Sequence, residues 1–183
     1  MPVKETKTKP KSNLDFRLMS LTYKFRDFFL PRMNILKEVD IEAGFHVLDY
    51  GCGPGSYIVP LAELVGKSGK IYALDVHPLA IQAVQRLASR NRLENIQTIL
   101  SDSKTELPPN SVDLVLLYDI LHDLDNASGV LAELHRILKP KGVLSVSDHH
   151  LKEEEIISRV TSAGLFKLST KGKGTFSFLR AEG

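Results

Sequence analysis

Apolar residues recur every three to four positions near the start of the chain. Leu14, Leu18, Leu21, Phe25 and Phe28 fall on one side of a helix, with Arg17, Lys24 and Arg26 between them. Phe29 and Leu30 widen the stripe until Pro31 interrupts it. A second helical segment is predicted over 32–39. From Gly44 onward short apolar strands alternate with amphipathic helices. Strands are predicted over 45–50, 70–75, 96–101, 112–118 and 143–147, and helices over 56–65, 78–91, 125–138 and 152–163. Pro60 and Pro78 sit near first turns, where a missing N–H costs least. The runs 165–170 and 175–180 leave no room for a helix between them, and Gly172-Lys173-Gly174 reads as the turn of an antiparallel hairpin.

This reading counts five strand–helix units and a terminal hairpin. Alternation of strand and helix implies a parallel sheet covered on both faces. The expected fold class is α/β: a Rossmann-like, doubly wound, seven-stranded sheet, mostly parallel, with a C-terminal antiparallel β-hairpin. In such a sheet, ligands bind at the C-terminal ends of the strands.

Composition narrows the class. A chain of 183 residues suits one sizeable core. No apolar run approaches the roughly 18 residues of a membrane span. Cys52 is the single cysteine, so no intrachain disulfide forms, and a reducing, cytoplasmic setting is expected. Residues 1–12 hold Lys4, Lys7, Lys9 and Lys11 against Glu5, and read as a disordered basic leader. The remainder is near neutral, which gives no reason to expect nucleic-acid binding.

Chemistry concentrates after the first three strands. Asp49 ends strand one and Gly51, Gly53 and Gly55 follow at alternate positions. Glycines permit positive φ and close approach of a ligand to the backbone, and the following helix offers free N–H groups. The alternative is a plain tight turn. The spacing G-x-G-x-G differs from the dinucleotide fingerprint, because Ser56 stands where that fingerprint's last glycine falls. Asp75 ends strand two, where its carboxylate can accept from vicinal ribose hydroxyls or cap the next helix. Asp102 ends strand three, where it can accept from an adenine amino group.

Taken in order, these motifs resemble the class I S-adenosylmethionine (SAM) dependent methyltransferases, in the broad group that includes quinone-biosynthesis C-methyltransferases. The segments 47–55, 73–75, 102–103 and 112–124 resemble that family's motifs I to IV, and 133–144 its helix–strand-five segment. The resemblance implies SAM as cofactor. It implies that Asp49, Gly51, Gly53 and Gly55 face the methionine and adenosyl portion, Asp75 binds the ribose, Val76 and Ser103 flank the adenine, and Asp102 meets its amino group. Tyr118 would line the methyl-donor site or pack in the core. Two departures stand out. Lys141 replaces a usual glycine before strand five, and His122-Asp123 stands where relatives often carry paired histidines.

His122 is the first candidate for a general base, with Tyr118 beside it. His149 and His150, after Asp148, are candidates to act on substrate, or with Asp148 to bind a metal; the metal reading is set aside for want of convergent ligands. His77 and His135 are read as solvated helix positions, His46 as structural, and Cys52 as a small loop residue. Residues 13–40 are expected to form a helical lid over the domain 41–183, or to pack on the sheet edge. A hydrophobic lid favours an apolar or aromatic small-molecule acceptor. A protein or RNA acceptor, and SAM binding without transfer, are the alternatives.

Overall fold

The computed structural model describes residues 12–29 and 32–181. Its elements are α1 (Asn13–Phe29), α2 (Met33–Leu36), β1 (His46–Tyr50), α3 (Ile58–Val65), β2 (Lys70–Asp75), α4 (Pro78–Asn91), β3 (Ile96–Leu100), β4 (Val112–Tyr118), α5 (Ala127–Ile137), β5 (Leu138–Ser147), α6 (Glu153–Thr161), β6 (Phe166–Lys171) and β7 (Phe176–Arg180). A short 3-10 turn, Leu121–Asp123, follows β4.

The seven strands form one sheet in the order β3-β2-β1-β4-β5-β7-β6. Strands β1 to β5 are parallel, and β7 pairs antiparallel with both β5 and β6. The hairpin's second strand therefore docks on the sheet and its first forms the edge. The expected fold class holds. Alternation along the strands builds two cores. Val47, Ile71, Ala73, Leu114 and Leu116 face α2, α3 and α4, while Leu48, Leu74, Val115, Leu117, Leu144 and Val146 face α5 and α6.

Two expectations fail. The strand–helix count is four, not five, because 101–111 joins β3 to β4 without a helix. Pro108 and Pro109 interrupt that segment, and Thr105 and Leu107 are buried through hydrogen bonds to Glu133 and Arg136 of α5. Strand β5 starts at Leu138 rather than at 143, because Leu138 pairs with Val112 before the register jumps to Val143 opposite Leu114.

Strand order reverses between β1 and β4, since β2 and β3 lie on one side and β5 on the other. A crevice at the C-terminal ends of β1 and β4 is the ligand position such topology prescribes.

Candidate functional site

At the end of β1 the chain turns sharply through Gly51, Gly53 and Gly55, all at positive φ (78°, 51° and 92°). The Gly51 and Cys52 N–H groups both donate to the Leu74 carbonyl, at 2.8 and 2.9 Å. A Cβ on Gly51 would lie 3.1 Å from Ile120, and one on Gly55 would lie 3.1 Å from Leu87 and 3.2 Å from Val84. The missing side chains therefore face protein: Gly51 lets the β4 loop close on the β1 loop, and Gly55 lets the turn pack on α4. What the loop can offer a ligand is backbone.

Asp49, just before this turn, is buried, and its Oδ2 has no hydrogen-bond partner. Burial, and secondarily the charge of Asp75, raise its pKa to about 7. The Ser56 hydroxyl, at the far end of the same turn, is also buried without a partner. Two orphaned polar atoms flanking one loop call for a ligand with polar groups, because such groups are otherwise expensive to bury. Tyr57 follows, edge-on to Tyr118 at 5.1 Å, with the Arg32 guanidinium 5.8 Å from the centre of its ring. Sequence reasoning missed both Arg32 and Tyr57; only the fold brings 32 next to 57.

Asp75 accepts from the Gly53 N–H at 2.9 Å through one carboxylate oxygen and from the His77 N–H at 2.8 Å through the other. Each oxygen keeps a second lone pair for a hydroxyl. Burial raises its pKa, opposed by these N–H donors. The cap of α4 is not Asp75 but His77, whose Nδ1 accepts from Leu79 N at 3.1 Å. His77 is buried and stacks on Phe16 of α1 at 4.5 Å, which corrects its reading as a solvated position. Val76, between the two, is half-buried.

The third loop is tied to the first. The Tyr50 hydroxyl donates to the Asp102 carbonyl at 2.9 Å, and Ser103 donates to the Asp102 carboxylate at 3.1 Å. Asp102 and Ser103 remain half-exposed at the end of β3. Tyr50 is a third residue that sequence reasoning passed over; its place immediately before Gly51 in the loop motif was the available signal.

On the β4 side, Tyr118 is buried with its hydroxyl 2.8 Å from Ser145, and burial holds it protonated far above the usual phenol range. His122 lies in the 3-10 turn with its Nδ1 2.9 Å from Asp148 Oδ2, while its backbone N–H donates to the same oxygen at 3.0 Å. The Asp148 side chain is fully buried, and its other oxygen accepts from His150 N–H at 3.0 Å. Burial pushes the Asp148 pKa up, but the His122 ring and these N–H donors outweigh it and hold it below the ordinary carboxylate value. The His150 ring lies 4.2 Å from that of His122, and exposed His149 bonds Asp119 at 2.6 Å. Among the described residues, no group of three or more His, Cys, Asp or Glu side chains is placed to hold a metal ion. Asp148 instead anchors His122, a pairing across 26 residues that spacing does not reveal.

The other histidines and Cys52 lie apart from this chemistry. His46 opens β1, half-buried, with its backbone N–H on Asp113. His135 packs edge-on to Phe166 at 5.6 Å and accepts from Arg180, so it is half-buried rather than solvated. Cys52 is buried, and burial keeps its thiol protonated.

A family model described as a methyltransferase domain matches residues 41–176. Among curated proteins, the demethylmenaquinone methyltransferase of Geobacillus stearothermophilus is 29% identical over 126 residues, which are 68% of this chain and 54% of that protein. Aklanonic acid methyltransferase DauC of Streptomyces sp. (strain C5) is 34% identical over 119 residues, 63% of this chain and 54% of that protein. The chain thus spans about half the length of these relatives. A solved SAM dependent methyltransferase from Aquifex aeolicus superposes with a TM-score of 0.79 at 24% identity, covering 93% of this chain and 98% of that one.

Proposed function

The chain belongs to the methyltransferase-domain family, and from that premise we propose that it transfers the methyl group of SAM to an apolar or aromatic small molecule, with His122 as general base. The observation that supports it best is the meeting of the β1 and β4 loops where the strand order reverses. An orphaned buried carboxylate lies on one side and an aspartate-anchored imidazole follows on the other.

The residues present suit SAM. Asp49 Oδ2 is an acceptor with no donor, and a positively charged ligand supplies what it lacks. The spare lone pairs of Asp75 suit vicinal ribose hydroxyls, with Val76, Asp102 and Ser103 around the base. Gly51, Gly53 and Gly55 contribute backbone to the same cradle. When bound, SAM supplies an electrophilic methyl group. Tyr57 and Tyr118 form an aromatic wall beside it that excludes water, and the protonated Tyr118 phenol is a wall rather than a base. Asp148 fixes His122 with Nδ1–H directed at the carboxylate; Nε2, 3.5 Å from Asp123 Oδ1, then takes the proton from the acceptor beside that second carboxylate.

The aromatic acceptor reading follows the printed names of the relatives, a demethylmenaquinone methyltransferase and an aklanonic acid methyltransferase. Helix α1, seated through Phe16 on His77, serves as the lid beside that crevice.

The test is transfer of labelled methyl from SAM into fractionated cell extract by the wild type and by His122→Gln. Label entering a small-molecule fraction, with a loss of about 10²–10³-fold in the variant at unchanged SAM affinity, is expected. Label in protein or RNA would refute the acceptor class, and an equally active variant would refute the base. Asp148→Asn should lose rate in the same direction. It should also move the proton of His122 between its ring nitrogens, as read by nitrogen-15 NMR.

A further inference from the structure

Helix α1 presents two different faces. Phe16 is buried to 5% exposure against His77, which fixes that side of the helix to the body. Leu14, Leu18 and Leu21 stand at 67%, 58% and 67% exposure, and their spacing aligns them on the side opposite Phe16. These three leucines thus face outward, on a helix whose attachment through Phe16 is already made. Three large apolar side chains in a row on an exposed helix mark an interaction surface.

Charge says what covers it. Residues 1–28 carry seven lysines and arginines against three acids, whereas the whole chain is only +2. The remainder of the protein is therefore net acidic, and the basic excess sits on and just before the apolar stripe. Arg17 is exposed beside Leu14 and Leu18, and Lys4, Lys7, Lys9 and Lys11 immediately precede the helix. A leucine stripe flanked by basic residues on one helix is the pattern that lies in the interface of an anionic bilayer. The helix has 17 residues, and no described helix is long and apolar enough to cross a membrane. A second copy of this chain would bring a second basic segment against the first, which like-charge repulsion disfavours.

We propose that α1 is a membrane-surface anchor: its Leu14–Leu18–Leu21 stripe enters the headgroup–acyl boundary of an anionic bilayer while the N-terminal lysines and Arg17 hold the headgroups. Because Phe16, on the opposite side of α1, stacks on His77, docking through the leucines leaves the helix between the lipid and the Asp75 loop. This inference rests on the exposed stripe and the charge, and stands whether or not the acceptor is the apolar molecule proposed above.

The test is co-sedimentation of the full chain with phosphatidylcholine vesicles, and with mixed phosphatidylcholine–phosphatidylglycerol vesicles at low and physiological salt. Binding to the mixed vesicles alone, weakening as salt rises, is expected. Leu14→Ser/Leu18→Ser/Leu21→Ser should lose at least about tenfold in partitioning. Replacing the four N-terminal lysines by glutamine should lose a similar factor. All three leucines are solvent-exposed, so both variants should keep the wild-type circular dichroism and melting temperature; the lysine variant provides the second reading should the leucine variant misfold. Recovery of the wild type in the supernatant with both vesicle types overturns the proposal, as does equal binding by both variants. A wild-type dimer in sedimentation velocity that the leucine variant converts to monomer, without vesicle binding, assigns the stripe to a second copy instead.

Discussion

A carboxylate buried with an unpartnered oxygen costs stability whenever it is ionised, and Asp49 is in that position. Its pKa is raised from 3.8 to about 7 in the folded protein, so the fold holds a proton that the unfolded chain releases. The stability linked to that proton is complete below 3.8 and is lost as pH rises through about 7. Asp49→Asn should therefore melt higher than the wild type at pH above 7, by about 1–3 kcal/mol of stability, with the gap closing in acid. The same variant should be stabilised less by SAM than the wild type is, with affinity down about tenfold or more. A gain in intrinsic stability together with a loss in ligand affinity separates a binding role from a packing role, and thermal melts with and without SAM measure both. The strand-end positions of Asp49 and Asp75 were legible in the sequence from the apolar runs of β1 and β2. The cap role of His77 and the anchor role of Asp148 were not. The first is a local backbone geometry, and the second joins residues on different strand ends across 26 positions.

At the scale of elements, hydrophobic periodicity predicted the strands and helices well, while the count of five strand–helix units came out one too high. The link 101–111 has no helix because α5 supplies its partners. Thr105 N–H and hydroxyl both reach Glu133, at 3.0 and 2.5 Å, and Arg136 reaches the Leu107 carbonyl at 2.8 Å. Glu133 is held at a pKa of about 2, below its usual 4.5; the Arg136 side-chain bond is the largest cause, burial opposes it, and the Thr105 bonds add to it. A lowered carboxylate pKa gives stability that is present above 4.5 and lost as pH falls through about 2. Glu133→Gln should accordingly lower stability at neutral pH by about 1–3 kcal/mol. Its melting temperature should converge on that of the wild type as pH falls from 4.5 toward 2, and calorimetry across that range reads the convergence. The terminal hairpin was legible from its turn, whereas the insertion of β7 between β5 and β6 was not, because local spacing carries no information about which hairpin strand meets the sheet.

For the whole molecule, the two cores on either face of the sheet draw on β1 to β7 and on α2 to α6, and none of the described side chains of α1 belongs to either. Of the apolar positions on α1, Leu14, Leu18 and Leu21 face outward and Phe16 makes the contact with the body. Periodicity shows that a helix has an apolar side, but burial of that side depends on whether a partner surface lies there, which sequence spacing does not state. Removal of residues 1–31 is thus a clean division between the reading of α1 as a lid and its reading as core. A lid leaves the cooperative unfolding of the sheet intact, and SAM stabilisation persists to within several-fold, because Asp49, Asp75 and Asp102 stay on strand ends that the deletion does not touch. Transfer should fall by at least about tenfold, since the crevice beside His77 then admits water and loses the surface that closes on the acceptor. Loss of the cooperative thermal transition in the shortened protein would assign α1 to the core, and full retention of transfer would remove it from the site.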